Sequence, residues 1–315
     1  MPTKISKKLE PVEGVVPKER ATCRVPIGKI VHKLIVEGIV KPPANKIAEV
    51  SDIIRLITIA LDGNAKRECT AVELNELNAL FGNDYIITVE NLDNPGQPLG
   101  QGDKAMFTFP ILFAEPFRKS YTGDQMMAWP TLWPKPGGGT QKLFDTFQVF
   151  FDIPEVAGAS QHAINVYATL EDGLGQLDKD GNPIFNFSQW RRETVTYTSA
   201  ADRHLTNPIR KWMYQSMHFF TQAGDPISHI KILREGQEII DVPKRVNDID
   251  LIHYGINPEA LSPNRLDVIF DRTDLPEEGL RLNGVREFEV IPRLANAAAQ
   301  NKVITLITQL YGPIK

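Results

Sequence analysis

The sequence predicts a mainly β protein made of two tandem eight-stranded antiparallel jelly-roll sandwiches, each with a short helix in one connection. Three observations carry this expectation. The chain nearly repeats itself: Ile57–Gly82 (ITIALDGNAKRECTAVELNELNALFG) and Ile230–Gly255 (IKILREGQEIIDVPKRVNDIDLIHYG) are both 26 residues long and align without a gap. Ile57/Ile230, Ile59/Ile232, Gly63/Gly236 and Gly82/Gly255 are identical, and Asp62/Glu235, Asn64/Gln237, Glu68/Asp241, Asn75/Asp248 and Phe81/Tyr254 agree in chemistry. Period-two alternation of apolar residues dominates the rest, the signature of half-buried strands. Finally, after each copy of the repeat the order is the same: strand, loop, strand, strand.

In chain order, Ile30, His32, Leu34 and Val36 alternate with Val31, Lys33, Ile35 and Glu37. Ile53–Leu61 is apolar on both sides and reads as a covered, central strand. Thr70-Ala-Val-Glu73 is a capping box that opens a helix with Leu74, Leu77 and Phe81 on one face and Gly82 as its stop. Phe107, Phe109, Ile111 and Phe113 share a strand face, where Pro110 predicts an edge or bulge. Phe147–Ile153 and Ile164–Leu170 follow.

The second half offers strands at Val195–Tyr197, Trp212–Phe220, Ile227–Arg234, Leu266–Phe270, Phe288–Leu294 and Val303–Tyr311. Its helix has Pro243 near the first turn and Val246, Ile249 and Ile252 on one stripe. The expected organisation is an N-terminal arm over 1–19, a first jelly roll over 20–180 and a second over 181–315. The Gly/Asp/Asn/Pro-rich stretch Glu171–Pro183 holds the boundary. A sandwich of eight strands in this order is most often a jelly roll.

Composition excludes several classes. The 315 residues carry 35 Lys and Arg against 39 Asp and Glu, a formal net charge of −4, so no clustered basic surface points to nucleic acid. No apolar run reaches a membrane span, and the start MPTKISKKLEPVEG lacks a signal-peptide core, which implies folding in a cytoplasm. Cys23 and Cys69 are too few for a disulfide framework or a thiolate zinc site.

Catalytic motifs are missing too. The six histidines, His32, His162, His204, His218, His229 and His253, show no HxH or HExxH spacing. There is no Gly-x-Ser-x-Gly elbow, and Pro136–Lys142 (PGGGTQK) lacks the spacing of a phosphate loop and reads as a surface loop. Asp178, Asp180 and Asn182 leave two readings open. Oxygen ligands at alternate positions around Gly181 could wrap calcium, although Gln189 stands where an EF-hand needs Glu; Asp180-Gly181 also makes a hairpin turn. Trp129 and Trp133 lie among prolines in a long loop, suited to subunit contact, ligand stacking or folding over their own sandwich. Asn186-Phe-Ser188 fits a glycosylation sequon that a cytoplasmic chain leaves unused.

Several local strings carry a resemblance. They are Val25-Pro-Ile-Gly28 leading to His32; Ile57–Gly63; Phe113-Ala-Glu115-Pro116-Phe117-Arg118 followed by Ala128-Trp129; Ile230-Lys-Ile with Gly236; Leu266–Asp271; and Val303–Pro313. From about residue 20 onward the chain resembles the double jelly-roll major capsid proteins of tailless, icosahedral bacterial viruses with an internal membrane, the corticovirus and tectivirus type. The resemblance implies a non-enzymatic shell subunit. Three chains would make a homotrimer of six sandwiches with a nearly hexagonal outline, and trimers would tile an icosahedral virion after synthesis in the host cytoplasm. Implied partners are neighbouring capsomers, a vertex (penton) protein, minor capsid or membrane proteins, and an internal membrane met by the 1–19 arm. Direct nucleic-acid contact and a cofactor, calcium apart, are not expected. Gly63, Glu115, Pro116, Phe117, Arg118, Trp129, Gly236 and Asp271 are the positions the likeness singles out. The alternative is a carbohydrate-binding or carbohydrate-processing double β-sandwich using Trp129, Trp133 and Trp212.

Overall fold

The computed structural model describes residues 4–81, 87–114, 128–197, 205, 212–222, 225–256, 264–272, 278–295 and 302–313. The chain divides into two compact units. The first is Met1–Asn78 with Asn83–Phe187, the second Ser188–Pro313 with Ala79–Gly82.

In the first unit the strands are β1 (Lys4–Lys8), β2 (Arg20–Arg24), β3 (Ile30–Lys41), β4 (Leu56–Leu61) and β5 (Asn64–Cys69). Helix α1 (Ala71–Phe81) follows, then β6 (Thr88–Asn91), β7 (Ala105–Leu112), β8 (Trp129–Pro130), β9 (Trp133–Pro134), β10 (Thr140–Gln141), β11 (Phe147–Asp152), β12 (Ser160–Glu171), β13 (Gln176–Leu177) and β14 (Pro183–Ile184). One sheet runs β1-β12-β3-β7-β6, with β8 paired to the start of β3; the other runs β2-β11-β4-β5. The two sheets bury alternate side chains, such as the cross-strand rows Val166–Val36–Phe109 and Ala168–Leu34–Ile111 in one and Cys23–Val149–Ile59 in the other.

The second unit has β15 (Asn186–Tyr197), β16 (Met213–Thr221), β17 (Ile227–Arg234), β18 (Gln237–Pro243), α2 (Lys244–His253), β19 (Arg265–Ile269), β20 (Leu280–Arg281), β21 (Phe288–Leu294) and β22 (Lys302–Pro313). Its sheets run β15-β22-β16-β19, with β20 on the start of β16, and β18-β17-β21. A single bridge from Leu205 to Val290 stands where β2 lies against β11 in the first unit. The correspondence is therefore element by element, β1 with β15, β3 with β16, β8 with β20, β11 with β21 and β12 with β22. Both units have the two-sheet order of a jelly roll.

The repeat has a physical cause. Each copy is a β-hairpin followed by a helix, and both hairpins turn through two residues of positive φ: Asp62 (49°) and Gly63 (74°), Glu235 (51°) and Gly236 (73°). These are the conformations of a type I′ turn, which matches the right-handed twist of paired strands. The acidic residue at the first turn position does the same job twice. Asp62 N–H donates to Thr146 O (3.0 Å) while its carboxylate accepts the amides of Asp145 and Thr146 (2.8 and 2.9 Å). Glu235 N–H donates to Glu287 O (2.9 Å) and its carboxylate accepts the Arg286 amide. Both clamp the residues just before β11 or β21 to the hairpin. A Cβ at Gly63 or Gly236 meets nothing within 4 Å, so its cost is purely conformational. Gly63→Ala and Gly236→Ala should thus each lose about 1 kcal/mol, and to a similar extent, in urea unfolding.

The capping box forms as expected: Thr70 N–H donates to Glu73 Oε2 (2.8 Å) and Glu73 N–H to Thr70 Oγ1 (3.1 Å). Pro110 also behaves as read. β6 pairs β7 only as far as Thr108, and the Pro110 carbonyl, beyond that end, accepts from Asn78 Nδ2 of α1 (3.2 Å).

Two expectations are corrected. Residues 4–19 are not an arm apart from the first sandwich. Lys4–Lys8 pair with Glu171–Tyr167 as the edge strand of the first sheet, Leu9 N–H donates to Val166 O, and Glu13 bridges Thr22. The first jelly roll thus starts at its β1 rather than at residue 20, and its unit runs on to Phe187 rather than 180. The repeat reads as strand, turn and helix in sequence but contains a second strand, β5 or β18, whose polar edge hides the alternation. The α2 stripe Val246, Ile249 and Ile252, expected as one helical face, faces outward.

Candidate functional site

Seven aromatic side chains of the first unit, Phe113, Trp129, Trp133, Phe144, Phe147, Phe185 and Phe187, form one cluster. Trp129 on β8 is fully buried, with ring centroids 4.8 Å from Phe113, 5.1 Å from Phe187, 5.5 Å from Phe147 and 5.9 Å from Phe185. Trp133 joins through Phe144 and Phe185, and its Nε1–H donates to Ile184 O (2.8 Å). Gly175 allows this: a Cβ there would stand 2.1 Å from Trp133 Nε1. The Arg67 guanidinium lies 5.0 Å from the Trp129 ring centroid and 5.5 Å from that of Phe113, and donates to Leu112 O (2.5 Å). Thr131 Oγ1 accepts the Gly28 and Lys29 amides (2.7 and 3.0 Å), holding the β8 strand against the entry to β3. Enclosed on all sides, Trp129 and Trp133 offer a sugar no stacking face, and Trp212 is half-buried against the second core. The loop between β9 and β10 closes as a surface hairpin by Lys135 N–H to Gly139 O (3.1 Å).

Asp178, Asp180 and Asn182 come together in the β13–β14 hairpin. Asp178 accepts the amides of Asp180 (2.9 Å) and Asn182 (2.8 Å) and Asn182 Nδ2 (3.2 Å), and these bonds, those of Asn182 foremost, hold its carboxyl below the usual range. The turn alone accounts for these contacts. It predicts that Asp178→Ala lowers the thermal midpoint equally with calcium and with chelator. A loss of stability on chelation confined to the wild type would instead assign an ion here.

The second unit holds a buried polar cluster that no sequence motif announces. On the face of its larger sheet opposite the core side chains Met217, Phe219, Leu266 and Val268 lie Ser216, His218, Arg265 and Asp267. Ser216 Oγ is 2.7 Å from His218 Nε2, and His218 Nδ1 is 2.5 Å from Asp267 Oδ1. Arg265 donates through Nε to the same oxygen (2.7 Å), its guanidinium 4.9 Å from the Phe220 ring centroid. Asn247 Nδ2 of α2 donates to Asp267 O (2.7 Å). Burial pushes the Asp267 carboxyl upward but is outweighed by Arg265 and His218, so it stays below the ordinary carboxylate range. Burial, helped by Arg265 and opposed by Asp267, holds the His218 imidazole below its ordinary value. The ring is therefore neutral, donating from Nδ1 to Asp267 and accepting at Nε2 from Ser216. This is the bonding pattern of a hydrolase triad, but Ser216 is 1% exposed and His218 0%, so no substrate carbonyl reaches the hydroxyl. What the arrangement does is anchor β16 to β19. A second buried pair, His32 Nε2 with Glu171 Oε2 at 2.6 Å, ties β3 to β12 in the first unit.

Of the remaining positions from the resemblance, Gly63 and Gly236 form the paired turns, and Asp271 is buried just past β19, accepting from Gln215 Nε2 (3.3 Å). Glu115, Pro116, Phe117 and Arg118 lie outside the described residues. Among the described residues no group of three or more His, Cys, Asp or Glu is placed to hold a metal ion, and no helix is long and apolar enough to cross a membrane. Cys23 and Cys69 are both buried, and burial pushes the Cys23 thiol up to about 12.

Residues 187–310 match the family described as viral coat protein P2 C-terminal domain. Solved structures match over the whole length. The major capsid protein P2 of bacteriophage PM2 superposes with a TM-score of 0.70 at 14% identity, covering 99% of this chain and 98% of that one. A chain of Sulfolobus Turreted Icosahedral Virus gives 0.68 at 13%, covering 99% and 91%. The Faustovirus major capsid protein gives 0.67 at 8%, covering 99% and 90%. No curated protein matches at the level of sequence. The chain thus has the double jelly-roll fold of viral major capsid proteins, with a match to the coat protein P2 C-terminal domain as its second unit.

Proposed function

We propose that this chain is a structural major capsid protein. Three copies form a capsomer of six sandwiches, and capsomers tile the shell of an icosahedral virion. The observation that carries the proposal is the element-by-element duplication of a jelly roll within one chain: a threefold ring of such chains presents six sandwiches and can fill sixfold positions. The fold shared with capsid proteins over 99% of the chain supports it. So does the enclosure of the two features that most resemble a working site, the Ser216–His218–Asp267 cluster and the tryptophans.

Neighbouring capsomers are the first partners under this reading, followed by a protein at the fivefold vertices and minor capsid or membrane proteins. Lys4–Lys8 form the exposed edge strand of the first sheet, so contact of this segment with an internal membrane would be made from that edge. Light scattering coupled to size exclusion tests the proposal. It should give about three times the chain mass of 35.3 kDa; a monomer at every concentration would remove it.

A further inference from the structure

Helix α2 is amphipathic with its polar side inward. Asn247 and Leu251 are its buried residues. Asn247 bonds Asp267 O at 2.7 Å, and Leu251 packs with Ile256 and Ile269. Lys244 and Asp248, paired at 2.6 Å, flank them half-buried. The outward side carries Val246, Ile249 and Ile252, exposed by 51%, 49% and 43%, and Tyr254, which caps the helix, is exposed by 46%. The corresponding helix α1 buries the aligned positions Leu74 and Asn78, so both helices sit on the same side. At the positions of Val246, Ile249 and Ile252, 173 residues earlier, it has Glu73, Glu76 and Ala79, none of them exposed, and its apolar residues Leu74, Leu77 and Leu80 are buried. The apolar stripe is thus covered in one copy and exposed in the other.

Single exposed aliphatics need no explanation, but a helical row of three is different. It leaves on the order of 300 Å² of apolar surface along one helix, comparable to the largest patch of a typical monomer, which is often functional. The charges around the row decide what covers it. Lys244 and Arg245 precede Asp248 and Asp250 along the helix, and Arg272 pairs with Asp250 while lying 5.6 Å from the Tyr254 ring centroid. Both signs are present, and α2 balances two cations with two carboxylates. A lipid surface selects a basic flank, and a polyanion selects clustered cations. An apolar centre with a rim of mixed sign is instead the anatomy of a protein interface. It is complementary in charge to a surface that is neither strongly acidic nor strongly basic, such as that of a chain with net charge −4.

We propose that the outward face of α2 is a subunit-contact surface, covered by a second copy of this chain. The inference rests on the capsomer reading and names the surface that closes it. In a threefold ring the contact is head to tail, so the α2 face meets a different patch of the next copy. The stripe is the apolar centre of that contact, since one partner of a stable interface usually contributes about 800 Å².

The test compares wild type with Ile249→Glu by light scattering, with circular dichroism to establish that both are folded. The wild type should be a trimer, and the variant should dissociate at concentrations at least tenfold higher. A second variant, Ile249→Cys, reads the surface without disrupting it. Its maleimide labelling should slow at least tenfold on going from dissociated to trimeric protein, against the buried native Cys23 and Cys69 as background. A trimer that survives Ile249→Glu, or an Ile249→Cys variant whose introduced thiol labels equally fast in both states, overturns the assignment and leaves the capsomer reading standing. A wild-type chain that never associates overturns both.

Discussion

Asp267→Ala should destabilise the protein by about 3–5 kcal/mol, among the largest effects of any single substitution in the second unit. The carboxylate is 2% exposed and is the shared acceptor of Arg265 and His218. Removing it takes one carboxylate away from a guanidinium buried beside the Phe220 ring and deprives the His218 Nδ1–H of its acceptor. A urea midpoint shift that accounts for less than 1 kcal/mol would show that solvent reaches this cluster. Substituting Asp267→Asn keeps the shape and loses the charge, and should fall between alanine and wild type.

The same cluster sets a pH dependence with a definite sign. His218 is held below its ordinary value, so the unfolded chain binds a proton that the folded chain refuses. Stability is then full above about pH 6.5 and declines as pH falls below it, by at most about 1.4 kcal/mol per unit for one proton. His162 is shifted in the same direction by burial, so His218→Gln should flatten only part of the slope. Asp267 acts lower down. Its folded value is depressed, and its contribution is present above about pH 3.9 and lost as pH falls further. A stability curve that rises with acid between pH 6.5 and 5 would contradict the neutral imidazole.

Trp129→Ala is the second substitution with a large expected cost, about 3–5 kcal/mol. Its ring touches Phe113, Phe147, Phe185 and Phe187 and supports the Arg67 guanidinium, and all of these are largely or wholly enclosed. The cavity would lie between β8 and the loops that close the first sandwich, where several large rings cannot collapse together. Trp129→Phe should recover part of the loss, measured as the urea midpoint of each variant.

Strands with a strict two-residue period are legible in sequence: Ile227–Arg234 and Phe288–Leu294 are expected at the boundaries the structure gives them. The capping box and the glycines of the paired turns are legible because their chemistry is local. Strand β1 is not, since all five of its residues are exposed and three are lysines, leaving only main-chain pairing to define it. β5 and β18 are hidden for a related reason, as polar strands at the edge of their sheet.

The buried cluster is illegible on other grounds. Ser216, His218, Arg265 and Asp267 sit at the positions that alternate with the core, where a polar residue is normally solvated. Only the tertiary fold reveals that this face is closed. Helix α2 shows the converse case: the period of Val246, Ile249 and Ile252 reads correctly as helical, but periodicity cannot say which way the stripe points. Asp62 and Glu235 match in chemistry before their role is visible, and the shared clamp before β11 and β21 explains why an acid is needed at both.

The most direct measurement is electron microscopy of the purified, unmodified protein. Class averages should show threefold particles with six lobes, two from each chain. Particles of two, four or eight lobes, or isolated two-lobed chains at micromolar concentration, would contradict the duplicated-tile account.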